Sequence, residues 1–268
     1  MKAEEAINLN ISDFDIRIVL KRTDWDFAFN RIKRDVNRYY RGFVTKEKFK
    51  VDYTINVVES PILLIEKKAG ERFFFNFFRK KKRKVVETYY QISFLQLQII
   101  IRSILIELLS KNEGFIIHGS AVGKSGRGFI FTGKNGAGKS TAMRLLYPDF
   151  KALADDTVII KKIGNNYFLF QTPFTEKNYW IKKTGQKYLI EQVFFLVKDP
   201  NFEILKIKSK NIVFKKIAKQ FWSIDDFYRI QFKFLLKFIR HFDGFADLYF
   251  AKNRKKLRRL LDYGLENK

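Results

Sequence analysis

The chain has 268 residues, 46% of them hydrophobic and 30% charged, and a formal net charge of +25. Such a length and apolar content allow one large domain or two small ones around a real core, and exclude a disordered chain. There is no cysteine, so disulfide and thiol chemistry are excluded, which fits a reducing compartment.

The start, Met1–Glu5, lacks the charged-then-apolar pattern of an export signal. The most apolar long stretch, Ile92 to Leu109, carries Gln96, Gln98, Arg102 and Glu107, which exclude a simple membrane span. The expectation is a cytoplasmic protein. Its positive charge raises the local concentration of anions: phosphates, acidic peptides, nucleic acid or an anionic membrane. A chain rich in Lys, Phe, Ile and Asn is also what an A/T-rich coding sequence yields, so the charge singles out no partner.

Residues 1–90 read as a small α+β region that names no chemistry. Asp15 to Leu20 and Val51 to Val58 partly alternate apolar and polar residues, as half-buried strands do. Thr23 to Tyr40 has looser helical spacing through Phe27, Ile32, Val36 and Tyr39. Pro61 to Glu66 and Arg72 to Phe78 flank Ala69-Gly70 like a hairpin. The run Arg79–Lys84 holds six like charges. It fits an anion or nucleic-acid patch, and equally a solvated loop or an edge strand kept from pairing by its charge.

Residues 91–268 read as an α/β domain. Gln91 to Leu109 has the spacing of one amphipathic helix. Strands are expected over Gly114 to Gly123, Gly128 to Gly133, Ala152 to Lys162, Tyr167 to Gln171, Gln192 to Val197 and Ala246 to Ala251. Helices are expected over Lys139 to Leu146, Lys210 to Phe221, Ile224 to Phe242 and Lys252 to Tyr263. Interleaved strands and helices argue an α/β sheet domain.

Gly133-Lys134-Asn135-Gly136-Ala137-Gly138-Lys139-Ser140, followed by Thr141, is a P-loop. Its glycines let backbone N–H groups turn inward around an anion, where side chains would block the approach. The helix that follows adds partial positive charge at its N-terminus. Lys139 supplies a point charge to the β/γ-phosphates, and the Ser140 hydroxyl is a Mg²⁺ ligand, as in other P-loops. The strand Phe129–Thr132 before the loop and Met143, Leu145 and Leu146 after it are the context that the motif requires. The expected cofactors are ATP and Mg²⁺.

Phosphoryl transfer also needs a metal clamp and a group that orients or deprotonates the acceptor. Asp155 and Asp156 follow the run Ala152-Leu153-Ala154. Neighbours on a strand point to opposite faces, but a twist at a strand end lets both approach one site. One acid then holds Mg²⁺ and the other accepts the acceptor's proton; the plain alternative is a strand-end turn with two exposed acids. His118, on the preceding strand, is placed to set the proton affinity of that pair, or is a packed histidine with one hydrogen bond. His241 reads as structural or surface.

These features together resemble the catalytic domain of bacterial HPr kinase/phosphorylase and its shorter relatives, which share a P-loop core with phosphoenolpyruvate carboxykinases. The resemblance runs through Ile117-His118-Gly119-Ser120-Ala121, Arg127–Gly133, Leu153-Ala154-Asp155-Asp156 and Thr172-Pro173-Phe174. Glu191 to Val197 and Asp247 to Ala251 fit two further family strands. It implies a mixed-sheet domain over 91–268 that moves the γ-phosphoryl group of ATP to a Ser/Thr hydroxyl of a small protein or peptide. By resemblance, Asp155 acts as base, Asp156 joins Ser140 at the metal, and His118 tunes the acids; the two acids can exchange roles.

Two departures are plain. Thr141 stands where the family has Glu, and no Arg occurs between Arg144 and Arg229, leaving Lys177, Lys182 or Lys183 to supply that charge. They favour a rival reading, a catalytically weak nucleotide-gated module whose basic N-terminal half binds a peptide or nucleic acid. A transporter-type ATPase shares Asn135–Thr141, but its Leu-Ser-Gly-Gly-Gln-like signature and Asp-Glu end are missing.

Overall fold

The computed structural model describes every residue except 1–3, 22, 25, 48–49, 60–64, 69–71, 76, 177–179 and 267–268. The chain forms two compact units, Met1–Leu105 and Ile106–Lys268. The expected boundary after residue 90 precedes this division, which falls inside one helix.

In the first unit, β1 (Glu4–Ile11) and β2 (Phe14–Lys21) form a hairpin. Its two turn residues, Ser12 and Asp13, have φ of 58° and 60°; positive φ at both matches the twist of the strands. Phe14, Ile16, Ile18 and Leu20 are buried in strict alternation, the period that half-buried strands obey. Helix α1 (Asp26–Tyr39) leads to β3 (Tyr53–Val58), which pairs parallel to β2. The short strands β4 (Ile65–Lys68) and β5 (Arg72–Phe75) pair with each other; Pro61–Leu64 and Ala69-Gly70 of the expected hairpin lie outside the described residues. β6 (Phe78–Lys82) and β7 (Val85–Tyr89) complete a mixed sheet of order β1-β2-β3-β7-β6.

One expectation is corrected here, and one of two open readings is decided. The buried face of α1 is Ile32, Val36 and then Tyr40 just past its end, whereas Phe27 is 80% and Tyr39 44% exposed. A step of four from Val36 reaches Tyr40, so Tyr39 falls off that face. The basic run Arg79–Lys84 is an edge strand and the turn after it, with Arg79 and Lys81 both paired to Glu87.

Helix α2 (Phe94–Ser110) carries the division between the units. It lacks the polar face expected of an amphipathic helix: Gln98, Glu107 and Ser110 are buried while Leu95 and Ile99 are exposed. So many of its residues are apolar that burial does not follow a single stripe. Among the described residues, no helix is long and apolar enough to cross a membrane.

The second unit is built on β8 (Gly114–Lys124), β9 (Arg127–Thr132), β10 (Lys151–Ile163), β11 (Asn166–Phe170), β12 (Lys187–Lys198), β13 (Glu203–Lys206), β14 (Phe221–Trp222) and β15 (Phe245–Phe250). The order is β11-β10-β8-β9-β12-β15-β13, with β14 on β8 and a further pairing of β11 with β12 that closes five strands on themselves. β9, β12 and β15 run parallel, so their C-terminal ends share one rim.

Helices cover both faces. Ala142, Met143 and Leu146 of α3 (Lys139–Leu146) and Leu257 and Leu261 of α6 (Arg254–Glu266) pack with Phe129, Phe131 and Phe194. Val213 and Ile217 of α4 (Lys210–Ile217) and Leu235, Phe238 and Ile239 of α5 (Asp225–His241) pack with Phe115, Ile117 and Phe245 on the other side. Near-continuous burial on both faces marks β8, β9 and β10, as expected of strands covered on both sides, and helical spacing makes the covers. The helix expected to reach Phe221 stops at Ile217, because Phe221 and Trp222 pair with Ile117 and Ile116 of β8. That edge of β8 lies beyond the reach of β9, whose pairing begins at Ser120.

Candidate functional site

The loop between β9 and α3 has the backbone its glycines permit. Gly133, Gly136 and Gly138 have φ of 144°, 76° and 103°, values that side chains disfavour. A Cβ on Gly138 would sit 3.0 Å from the Phe250 ring. Helix α3 begins at once, with Ala142 N–H donating to Gly138 O at 2.8 Å. Its first-turn N–H groups have no partner within the helix. The Lys139 ammonium donates to Gly133 O at 2.9 Å and Lys134 O at 3.2 Å, curling back over the loop.

A cavity of about 760 Å³ opens at the shared rim of β9, β12 and β15. Asn135, Gly136, Gly138, Lys139, Ser140 and Thr141 line one side. Ser120, Asp155 and Asp156 line another, and Lys198, Asp199, Pro200, Phe250, Ala251 and Lys252 a third. In sheets of this kind, the ends of parallel strands leave such a crevice because each chain turns away to a helix or loop. Three residues of the motif stand back from it: Gly133 and Lys134 hold Lys139 by their carbonyls, and Ala137 is buried against α3 and α6 neighbours.

Asp155 and Asp156 lie within β10, not at its end as expected. A register shift between Ala152 and Ala154 just ahead of them adds local twist, as bulges do, and both acids reach the cavity. Their surroundings differ. Asp155 is 3% exposed and accepts from the Ser120 hydroxyl at 2.6 Å, its partner across the strands. The Asp156 side chain is 54% exposed, 3.9 Å from His118 Nδ1. His118 makes its closer contact, 3.2 Å, with the Asp156 carbonyl, and its half-exposed ring stands beside the acids without lining the cavity.

Sequence reasoning missed several neighbours. Ser120 pairs with Asp155 only through the β8–β10 register. Glu176 is buried behind Asp155, bonded to the Asp155 N–H at 3.0 Å and to Lys183 at 2.7 Å. Burial pushes the Lys183 ammonium down from its ordinary value, and Glu176 opposes that. Of the lysines considered for the missing Arg, Lys183 is thus occupied by Glu176, Lys182 is exposed and does not line the cavity, and Lys177 lies outside the described residues. Lys198 and Lys252 line it instead, brought there by strand ends that no local motif marks. Glu113 pairs with Lys237 and His241 Nδ1 contacts Lys237 O, which places His241 in the α5 surface rather than at the cavity.

No curated protein matches the chain. It is similar to the HPr(Ser) kinase/phosphatase from Coxiella burnetii at 12% identity and a TM-score of 0.33, over 57% of this chain and 97% of that one. A family model described as SynChlorMet cassette protein ScmC matches residues 86–223, a span that includes β8, the loop, α3, both acids and Glu176. Covering more than half of the chain, that match shows that the protein belongs to the ScmC family.

Proposed function

We propose that this protein binds ATP at the Gly133–Thr141 loop and transfers its γ-phosphoryl group to a Ser/Thr hydroxyl of a small protein or peptide. One observation carries the reading: a positive-φ glycine loop and a helix N-terminus face two carboxylates across one cavity. The loop N–H groups and Lys139 hold the phosphates. Ser120 fixes the Asp155 carboxylate, which takes the proton of the acceptor hydroxyl as the new O–P bond forms and the bridging oxygen leaves with ADP.

The donors also suit Mg²⁺. Ser140 and Asp156 offer hard oxygen ligands, and among the described residues no cluster of three or more His, Cys, Asp or Glu forms a closed metal site. Mg²⁺ takes few protein ligands, keeps waters and shares the substrate phosphates. When bound, it neutralises charge that develops on the phosphoryl oxygens. His118 stands beside Asp156, its Nδ1 3.9 Å from that carboxylate.

A second reading, a nucleotide-gated binding module, is favoured by Thr141 after Ser140 and by Lys183 being occupied with Glu176. Transfer of label from γ-labelled ATP to an acidic Ser/Thr peptide pool, with nucleotide affinity by titration calorimetry, separates the two. Asp155→Ala that abolishes transfer and keeps ATP affinity supports the kinase. Wild type that binds ATP and labels neither peptide nor water sinks it and leaves the module.

A further inference from the structure

β10 is only partly covered on its outer edge. Its ladder with β11 starts at Ile159, and among the described residues no strand pairs on that side with the stretch that carries the acids. Side chains from the segment after β11 take the strand's place. The Gln171 amide donates to Leu153 O at 3.3 Å. Two residues on, the Asp155 N–H donates to Glu176 Oε2 at 3.0 Å. The other carboxylate oxygen of Glu176 accepts from Lys183 Nζ at 2.7 Å and Thr172 Oγ1 at 3.3 Å.

This ion pair is buried, with side chains 3% exposed at Glu176 and 14% at Lys183. Taking two charges out of water is costly, and an apolar pair of the same volume is often as stable or more so. Stability alone therefore gives no reason for charges here. What an apolar pair could not do is accept the Asp155 N–H. A carboxylate acceptor makes a shorter, stronger bond than a neutral one, and Lys183 stands 2.7 Å from the other oxygen of that carboxylate. Asp155 is then held at both ends: its N–H by Glu176 and its Oδ1 by Ser120 at 2.6 Å.

We propose that Glu176, charge-balanced by Lys183, is a positioning residue that fixes the Asp155 main chain so that the carboxylate stays aimed into the phosphate cavity. The proposal rests on the reading of Asp155 as the group that activates the acceptor. Thr172, Glu176 and Lys183 form the brace, and none of them lines the cavity.

Two double variants of the full chain test it. Glu176→Gln with Lys183→Met removes both charges and keeps an oxygen for the Asp155 N–H. Glu176→Leu with Lys183→Met removes that oxygen too. The first retains kcat within a few-fold; the second loses kcat by about 10- to 100-fold at unchanged KM for ATP, as loss of catalytic alignment does. The exchange of the Asp155 amide in D₂O, read by NMR, stays slow in the first and becomes at least about tenfold faster in the second, as local opening allows. A folded apolar variant with wild-type kcat and a protected Asp155 amide overturns the proposal. If the apolar variant does not fold, the Gln/Met protein decides: retained kcat and protection uphold the brace, and their loss in a folded protein overturns it. If wild type transfers no phosphoryl group, the kinase reading fails on its own, and the Asp155 amide still decides whether Glu176 holds this backbone.

Discussion

Lys139→Ala tests the loop directly. Its ammonium is half-buried and bonded to Gly133 O and Lys134 O at 2.9 and 3.2 Å. Bound phosphate would take over that charge, a hydrogen bond to a charged group being worth about 1.5–3 kcal/mol. Removing it raises Kd by roughly 10- to 150-fold, since about 1.4 kcal/mol is a factor of ten. ATP with Mg²⁺ at ~100 times the wild-type Kd stabilises wild type by about 2.7 kcal/mol. The same concentration then stabilises Lys139→Ala by only about 0.3–1.3 kcal/mol by the same relation. In scanning calorimetry the wild-type gain is roughly 5–11 °C and the variant's roughly 1–5 °C, at about 2–4 °C per kcal/mol. Titration calorimetry supplies the Kd. Equal shifts in the two proteins would refute the placement of Lys139 on the phosphates. No shift in wild type would refute ATP binding at this loop.

Two further outcomes concern stability. Phe238 is fully buried and its ring lies within 5.6 Å, centroid to centroid, of Phe115, Tyr167, Phe242 and Phe245. Phe238→Ala should cost about 3–5 kcal/mol, through lost transfer energy and the cavity left behind; urea unfolding reads it, and a cost under ~1 kcal/mol would contradict this packing. Asp149 joins Arg254 at 2.9 Å and Arg258 at 3.0 Å, and the hydrogen bond from Arg254 holds its carboxyl below the usual value. A lowered folded-state pKa gives stability that is present above the ordinary carboxylate pKa and is lost as pH falls through the folded value. Melting of wild type and Asp149→Asn between pH 7 and 3 should therefore differ at neutral pH and converge in acid; a constant gap would mean that the ion pairs contribute nothing.

The loop was legible because its chemistry is local. Three glycines at fixed spacing dictate the backbone, and the strand before and the helix after are written in adjacent residues. The strands carrying Ser120 and Asp155 were equally clear, since alternation and apolar runs report burial along one segment. β1, β7, β13 and β14 were not, being short or partly polar pieces that pairing stabilises more than propensity does. β14 in particular exists because the lower edge of β8 needs backbone partners, which no reading of Phe221-Trp222 alone reveals.

By itself, the sequence determined the glycine loop between strand and helix, the adjacent acids and the α/β alternation within residues 91–268. Tertiary structure alone decided which residues stand around those acids. The β8–β10 register set Ser120 against Asp155, the bulge at Leu153 turned both acids to the cavity, and the parallel ends of β12 and β15 brought Lys198 and Lys252. It placed His118 beside the acids but off the cavity wall, and it spent Lys183 on Glu176 instead of on the missing arginine's place. These are contacts between segments far apart in the chain, fixed by pairing and packing, and local spacing carries no record of them.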